Sequence, residues 1–229
     1  MKLSIVMPVL DEAAEIEAAL QALAPYRRRG VELIVVDGGS SDGTAGRARP
    51  LADRVIAAPR GRAAQMNAGA AAAQGDVLLF LHADTRLPDN ADRLVLDGLA
   101  SSARVWGRFD VRIDGGGVLG VVAIMMNTRS RLTGIATGDQ AMFVTRAAFD
   151  RAGGFPPIAL MEDVALSARL KHIGRPFALR ARVTASARRW RAHGTLRTVL
   201  LMWRLRLAYF LGADPGKLAR AYGYAASER

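Results

Sequence analysis

The sequence predicts an α/β protein with a mostly parallel central sheet flanked by helices, a single domain over residues 1–229 that ends in a C-terminal helical extension. Three observations carry this. Residues 77–81 (VLLFL) are apolar without alternation over the length of a strand, the mark of a strand covered on both faces inside a parallel sheet. Residues 3–9 form a β-rich apolar segment, followed by Asp11 and Glu12 and then a stretch of helical spacing, which is how a βαβ unit opens. Residues 31–36 (VELIVV) end in Asp37 and run into a loop rich in Gly, Ser and Asp, repeating the pattern.

Composition sets the limits. A chain of 229 residues can bury a full core, and no linker, low-complexity block or fixed-period repeat divides it. Cysteine is absent, which excludes disulfides and thiolate metal sites. The formal charge is +11 and almost all of the positive charge is arginine, as suits nucleic acid, a membrane surface or a phosphorylated small molecule. The arginines are scattered, aromatic residues make up only 6%, and no nucleic-acid-binding motif occurs, so nucleic acid is not expected as a partner. The N-terminus lacks the apolar core and cleavage site of a signal peptide, and no apolar run approaches the roughly 18 residues of a membrane span. A cytoplasmic protein is expected, with peripheral membrane contact left open.

In chain order, the strand at 3–9 is followed by a helix with Ile16, Ala19, Leu20 and Leu23 on one face, which Pro25 and Gly30 are expected to end. After the second strand, Gly38 to Thr44 form a loop entering a helix, and Val55 and Ile56 mark a short third strand. The next helix has a small face (Met66, Ala70, Ala73) able to lie close to the sheet. Arg60, Arg62, Gln65 and Asn67 sit at its start, where backbone donors and the helix dipole favour anions; a solvated, arginine-rich helix end is the plainer alternative. The strand at 77–81 changes polarity within one residue to His82, Ala83, Asp84 and Thr85. A carboxylate leaving a buried strand there is well placed to hold a metal or ligand, although Asp84 could equally cap a turn with His82 in the core.

A helix is expected over 88–99 and a strand over 106–113, whose alternation suits an exposed edge or a mixed sheet. Gly115–Gly117 turn into a second apolar helix over 118–126, too short to span a membrane. A loop at 138–140 containing Asp139 and Gln140 leads to a strand over 141–144. Glu162 and Asp163 open a helix continuing through Leu166, Leu170 and Ile173; they either complement its dipole or do chemistry. Residues 196–212 form a helix with Leu196, Val199, Leu200, Trp203, Leu207 and Phe210 on one face, for core packing, a homodimer or a membrane surface.

These motifs together resemble family-2 glycosyltransferases of the GT-A (nucleotide-diphospho-sugar transferase) fold. The carriers are PVLDE after the first strand, VVDGGSSDGT after the second, RGRAAQMNAG, HAD where the family has its D-x-D, GGF followed by MED, and RRW near the end. The family's usual VDDGSTDGT has Asp where Gly38 stands, His82 replaces the first Asp of D-x-D, and RRW lacks the leading Gln of the related R-x-W element. The resemblance implies an inverting, metal-dependent transfer of a sugar from a nucleotide-sugar to the hydroxyl of a small-molecule or lipid-linked acceptor. It divides the chain into a nucleotide-binding half (1–100), an acceptor half (101–185) and the extension (186–229). It implies donor contacts from Pro8, Glu12, Asp37, Arg60, Arg62, Gln65, Asn67, Ala83, Arg188, Arg189 and Trp190, with a further phosphate or metal contact open to His193. Asp84 would ligate Mn²⁺ or Mg²⁺, Asp163 would be the catalytic base, and Asp139, Gln140 and Glu162 would lie on the acceptor side. RGRAAQMNAG, LFLHADT, GDQAMFV, MED and RRW are most similar to a subgroup of small enzymes linked to arsenosugar biosynthesis. Two rivals stand beside this reading. A sugar nucleotidyltransferase would need a Gly-rich, Arg-containing loop where the chain has PVLDE, and a non-catalytic nucleotide- or phosphate-binding module is favoured if Gly38 and His82 mark a decayed site.

Overall fold

A computed structural model describes residues 1–224, apart from the side chain of Arg189. The chain runs through β1 (Leu3–Val9), α1 (Ile16–Arg28), β2 (Glu32–Asp37), α2 (Thr44–Ala48), β3 (Arg54–Ala57), α3 (Arg62–Ala72), β4 (Val77–Phe80), β5 (Thr85–Arg86) and α4 (Ala91–Ser101). It continues through β6 (Trp106–Ile113), α5 (Val118–Thr133), β7 (Phe143–Thr145), α6 (Arg146–Arg151), α7 (Glu162–Ile173), β8 (Phe177–Ala185), α8 (Arg188–His193), α9 (Thr195–Phe210) and α10 (Pro215–Tyr222).

One 8-stranded sheet runs in the order β3-β2-β1-β4-β7-β6-β8-β5. The parallel pairs β1·β2, β1·β4, β2·β3 and β6·β8, linked through β7, leave only β5 and β7 running against the rest. The carboxyl ends of β1, β2, β4, β6 and β8 therefore share one edge. Because β1 has β2 on one side and β4 on the other, the winding reverses between β1 and β4, where such sheets leave a crevice.

Alternation along β1 explains the two layers. Leu3, Ile5, Met7 and Val9 pack with Ile16, Leu20 and Leu23 of α1 and with Val95 and Leu99 of α4. Val6 points the other way, with Ile34 and Val36, onto Met66 and Ala70 of α3 and Leu166 and Leu170 of α7. The expected small face of α3 has a consequence here. A methyl added at Gly69 would lie 2.3 Å from Val6 Cγ1 and 2.9 Å from Val36 Cγ2, so the absence of a side chain lets the helix backbone approach the sheet.

Several expectations change. Pro25 does not end the first helix, which runs on to Arg28. The carbonyl that Pro25 deprives of a partner belongs to exposed Gln21, where water can serve. Beyond it Tyr26 is buried with its hydroxyl donating to the Pro88 carbonyl, and Arg27 pairs with Asp53 at 2.7 Å. Of the two readings of residues 106–113, the mixed sheet holds and the exposed edge does not, because β6 is paired on both sides. The helix expected to stop at 126 continues to Thr133. The element α6 was not expected, nor was β8, whose Leu179, Val183 and Ala185 face the core while Arg180 and Arg182 face out. The extension contains α10 besides α9; Asp214 caps it by accepting from Lys217 N–H at 2.9 Å, with Pro215 in its first turn. Leu205 of α9 and Leu218 and Ala219 of α10 pack with Ile135, Leu160, Met161 and Val164, which ties the extension to the start of α7.

Candidate active site

A cavity of about 970 Å³ opens at the carboxyl edge of the sheet, over the reversal between β1 and β4. Its floor comes from Pro8 to Leu10 and Glu12 after β1, and from His82, Ala83 and Asp84 after β4. One wall is the approach to α3, from Arg60 through Gln65 to Asn67; the opposite wall is Ala185, Ser186, Arg188, Trp190 and His193. These segments are far apart in sequence and meet because parallel strands deliver their ends to one place.

The GGSSDGT loop braces this floor. Asp11 N–H donates to Ser40 Oγ (2.9 Å), Glu12 N–H to Thr44 Oγ1 (2.8 Å) and Ala13 N–H to Asp42 Oδ2 (2.8 Å). The Thr44 hydroxyl, donating to Asp42 Oδ1 at 2.5 Å, and then the Ala13 N–H hold the Asp42 carboxyl below its ordinary range. Asp37 is buried and accepts from the N–H groups of Gly39 and Ser40 at 3.2 and 3.1 Å. Across the mouth, Arg188 Nη2 lies 3.2 Å from Glu12 Oε2. Burial works against the charge of Arg188, but Glu12, Asp84 and Glu15 outweigh it and raise its pKa, so this guanidinium sits among carboxylates.

Two residues at the start of α3 reach the cavity with most of their polar atoms already engaged. Gln65 Nε2 donates to the carbonyls of Val9 and Val36, both at 2.8 Å, bridging β1 and β2. A side chain at Gly38 would begin 3.0 Å from the Gln65 amide, so the glycine found where the family has aspartate is the residue that makes room for Gln65. Asn67 clamps the loop before α7, donating to Phe155 C=O (2.8 Å) and accepting from Phe155 N–H (2.9 Å). Arg62 instead lies over the Tyr224 ring, 5.3 Å from its centre. Burial opposes the charge of Arg62, and Tyr224, Glu162, Tyr222 and Asp139 more than offset it, raising its pKa.

The far side is built around His82. Its Nδ1 lies 3.7 Å from Asp139 Oδ1, and a methyl at Gly138 would meet its Cε1 at 2.4 Å, so the ring packs flush on this turn. The depth of Asp139 in the cavity opposes its ionisation, yet His82, Arg62 and Arg206 hold its carboxyl below the ordinary range. Gly138 N–H donates to Asp163 Oδ2 at 2.6 Å, which fixes Asp163 directly behind the turn. Glu162, beside it, is buried; burial and the Asp163 charge push its carboxyl up to about 7. The preceding Met161 is a buried non-glycine residue with a left-handed backbone (φ 70°), a strained entry that the packing around Leu160, Leu205 and Leu218 holds in place.

Of the residues singled out from sequence, Pro8, Glu12, Arg60, Arg62, Gln65, Asn67, Ala83, Asp84, Asp139, Arg188, Trp190 and His193 line the cavity. Asp37, Gln140, Glu162 and Asp163 stand behind its walls; Gln140 is fully buried and closes a capping box with Thr137. Arg189 belongs to α8, and its side chain lies outside the described residues. Tyr222 and Tyr224 of the C-terminal segment also line the cavity and were missed; the Asp-Pro helix start at 214–215 was the available sign that a further element follows. Among the described residues no three His, Cys, Asp or Glu side chains group to hold a metal. Asp84 faces the cavity and, among the described residues, its carboxylate receives only a long 3.4 Å contact from Thr85 Oγ1, which suits a hard cation completed by phosphate and water oxygens.

The family model described as Glycosyl transferase family 2 matches residues 4–151, from β1 through α6, ending before Asp163 and Arg188. The succinoglycan biosynthesis protein ExoA of Rhizobium meliloti (strain 1021) is 38% identical over 114 residues, 43% of this chain and 33% of that protein. The chain thus spans about a third of that relative's length. Among solved structures, S. aureus TarS 1-349 in complex with UDP-GlcNAc is similar with a TM-score of 0.67 and 19% identity, over 81% of this chain and 58% of that one. The mannosyltransferase PcManGT from Pyrobaculum calidifontis, in complex with GDP-Man and Mn²⁺, gives a TM-score of 0.66 and 21% identity over 97% of this chain and 69% of that one. At such identities the likeness shows the fold alone, and that fold is GT-A.

Proposed function

Because the chain belongs to glycosyl transferase family 2, we propose that it moves a sugar from a nucleotide-diphospho-sugar to an acceptor hydroxyl with inversion. The observation that carries this is the convergence, around one cavity, of a cavity-facing carboxylate (Asp84), the arginine-bearing start of α3 and Arg188. That set matches a diphosphate, whose charge it can divide between cations and a metal. Pro8, Glu12 and Asp37 with its loop form the nucleoside end in this reading, and Arg60, Arg62 and Trp190 the diphosphate and sugar end. Arg188 holds Glu12 and would exchange it for phosphate oxygens. Asp84 would hold Mn²⁺ or Mg²⁺, which when bound neutralises the leaving diphosphate. The complexes of PcManGT with GDP-Man and of TarS with UDP-GlcNAc support a nucleotide-sugar donor.

Asp163 is the proposed base. An inverting transfer needs a carboxylate on the face of the sugar away from the leaving group, and the Gly138 N–H holds Asp163 against the turn that carries the cavity-lining Asp139. A second reading gives the proton to Asp139, because Asp139 lines the cavity and Asp163 does not. The arsenosugar subgroup is a narrower proposal resting on the five sequence segments, and a lipid-linked or small acceptor fits equally. No helix among the described residues is long and apolar enough to cross a membrane.

The test is a thermal-shift screen of nucleotide-sugars with and without Mn²⁺, on the parent and on Asp84→Ala. A metal-dependent rise in melting temperature is expected in the parent and should disappear in the variant. The same metal-dependent rise in both would remove Asp84 from the metal site. No rise with any nucleotide-sugar would overturn the proposed donor, whereas a rise without Mn²⁺-dependent hydrolysis of the donor would favour a non-catalytic nucleotide-binding module.

A further inference from the structure

The exposed large apolar side chains among the described residues, Met1 aside, all belong to α5, α9 and the residue after α9. On α5 they are Val118, Val121, Ile124, Met125 and Leu132; on α9 Leu196, Leu200, Trp203, Leu207 and Phe210 recur at helical spacing along the outer side. The two helices are far apart in sequence and adjacent in space. Val199 of α9 packs on the cluster of Leu119, Val122 and Ala123 of α5, so the two helices are joined along their inner flanks and each carries its exposed apolar stripe beside that joint. Monomeric proteins seldom leave so many large apolar side chains in water on neighbouring helices.

We propose that these neighbouring stripes of α5 and α9 dock the protein on an anionic membrane surface. Charge chooses the occupant. No Asp or Glu occurs between residues 115 and 138 or between 185 and 213, while Arg191, Arg197 and Arg204 stand exposed on α8 and α9. A second copy of the chain is the poorer occupant, since a two-fold interface sets the patch against itself and would face these arginines with their own copies, without a carboxylate to pair them. Anionic headgroups supply the missing charge, and the leucines with Trp203 suit the boundary below them. The inner side of α9 carries Thr198 and Met202 on the cavity wall, so docking would hold the cavity about one helix diameter, roughly 10 Å, above the headgroups. The proposal goes beyond the transfer reading and does not depend on it.

The experiment is co-sedimentation of the full chain with vesicles of phosphatidylglycerol and phosphatidylcholine, and of phosphatidylcholine alone, at low and high salt. Binding to the anionic vesicles at low salt is expected, with Trp203 emission moving to shorter wavelength and that change lost in Trp203→Phe. Arg197→Gln with Arg204→Gln should weaken partitioning about 25-fold, roughly fivefold for each charge, and Leu200→Ser with Leu207→Ser should abolish it. Failure to bind anionic vesicles at low salt, or undiminished binding by the leucine variant, overturns the proposal. So does a concentration-dependent dimer that the leucine variant dissolves in the absence of vesicle binding. These sites are exposed and outside the cavity, so nucleotide-sugar thermal shifts should match the parent; their absence from the parent would count against the transfer reading and leave the vesicle result standing.

Discussion

Replacing Glu162 by glutamine tests the buried acidic pair at the start of α7 through the pH dependence of stability. Glu162 is only 4% exposed, and burial together with the neighbouring Asp163 raises its pKa from 4.5 to about 7, with Arg62, its own backbone N–H and His82 pulling the other way. The folded state therefore binds this proton more tightly than the unfolded chain. The resulting stabilisation is complete below about pH 4.5 and is lost as pH rises through about 7. Over that window the loss is on the order of 3 kcal/mol, which for a chain of this size is roughly 10 °C in melting temperature. Glutamine keeps the shape and stays neutral throughout. Melting temperatures of parent and variant, measured at intervals from about pH 4.5 to 8.5, should coincide at the acidic end and diverge in favour of the variant by on the order of 10 °C at the basic end. A difference that stays constant across this range would refute the argument, because it would mean that Glu162 titrates alike in the folded and unfolded chains.

Two further predictions address the site and its scaffold. Asp163→Asn should lower the transfer rate about 10²- to 10⁴-fold with nucleotide-sugar affinity almost unchanged, as loss of a positioned base does; normal turnover in it together with a collapse in Asp139→Asn would move the base to Asp139. Gly69→Ala should destabilise by about 1–3 kcal/mol in urea unfolding despite alanine's better helix propensity, because the added methyl meets Val6 at 2.3 Å, and a variant more stable than the parent would refute the close approach of α3 to the sheet.

The apolar runs of β1, β2 and β4, the small face of α3 and the polarity change at His82 were legible in the sequence because each depends on neighbours within one element. Family resemblance added the order of the motifs, and the structure gathers most of those residues around one cavity. β8 was legible in principle, since Leu179, Ala181, Val183 and Ala185 alternate with the outward Arg180 and Arg182, but arginines so frequent in the chain hide the pattern. Pro25 misled because the cost of a proline depends on where its orphaned carbonyl points, and this one points to water.

What the sequence determined by itself is the class of fold and the chemical kinds of residue offered at the strand ends. Only the tertiary structure decided which of their atoms are available. Gln65 reads as a ligand donor until β1 and β2 both place a carbonyl within 2.8 Å of its amide, and Gly38 reads as a lost contact until Gln65 fills its space. Nothing in the sequence tells which of Asp163, at a helix start, and Asp139, in a loop, reaches the cavity until the Gly138 turn sets one behind the wall and the other on it. The cavity wall at Tyr222 and Tyr224, and the joint of α5 and α9, exist only once distant segments have packed. The reason is physical: periodicity is a property of residues a few positions apart, whereas the freedom of a polar atom depends on every atom within about 3 Å of it, and those atoms come from anywhere in the chain.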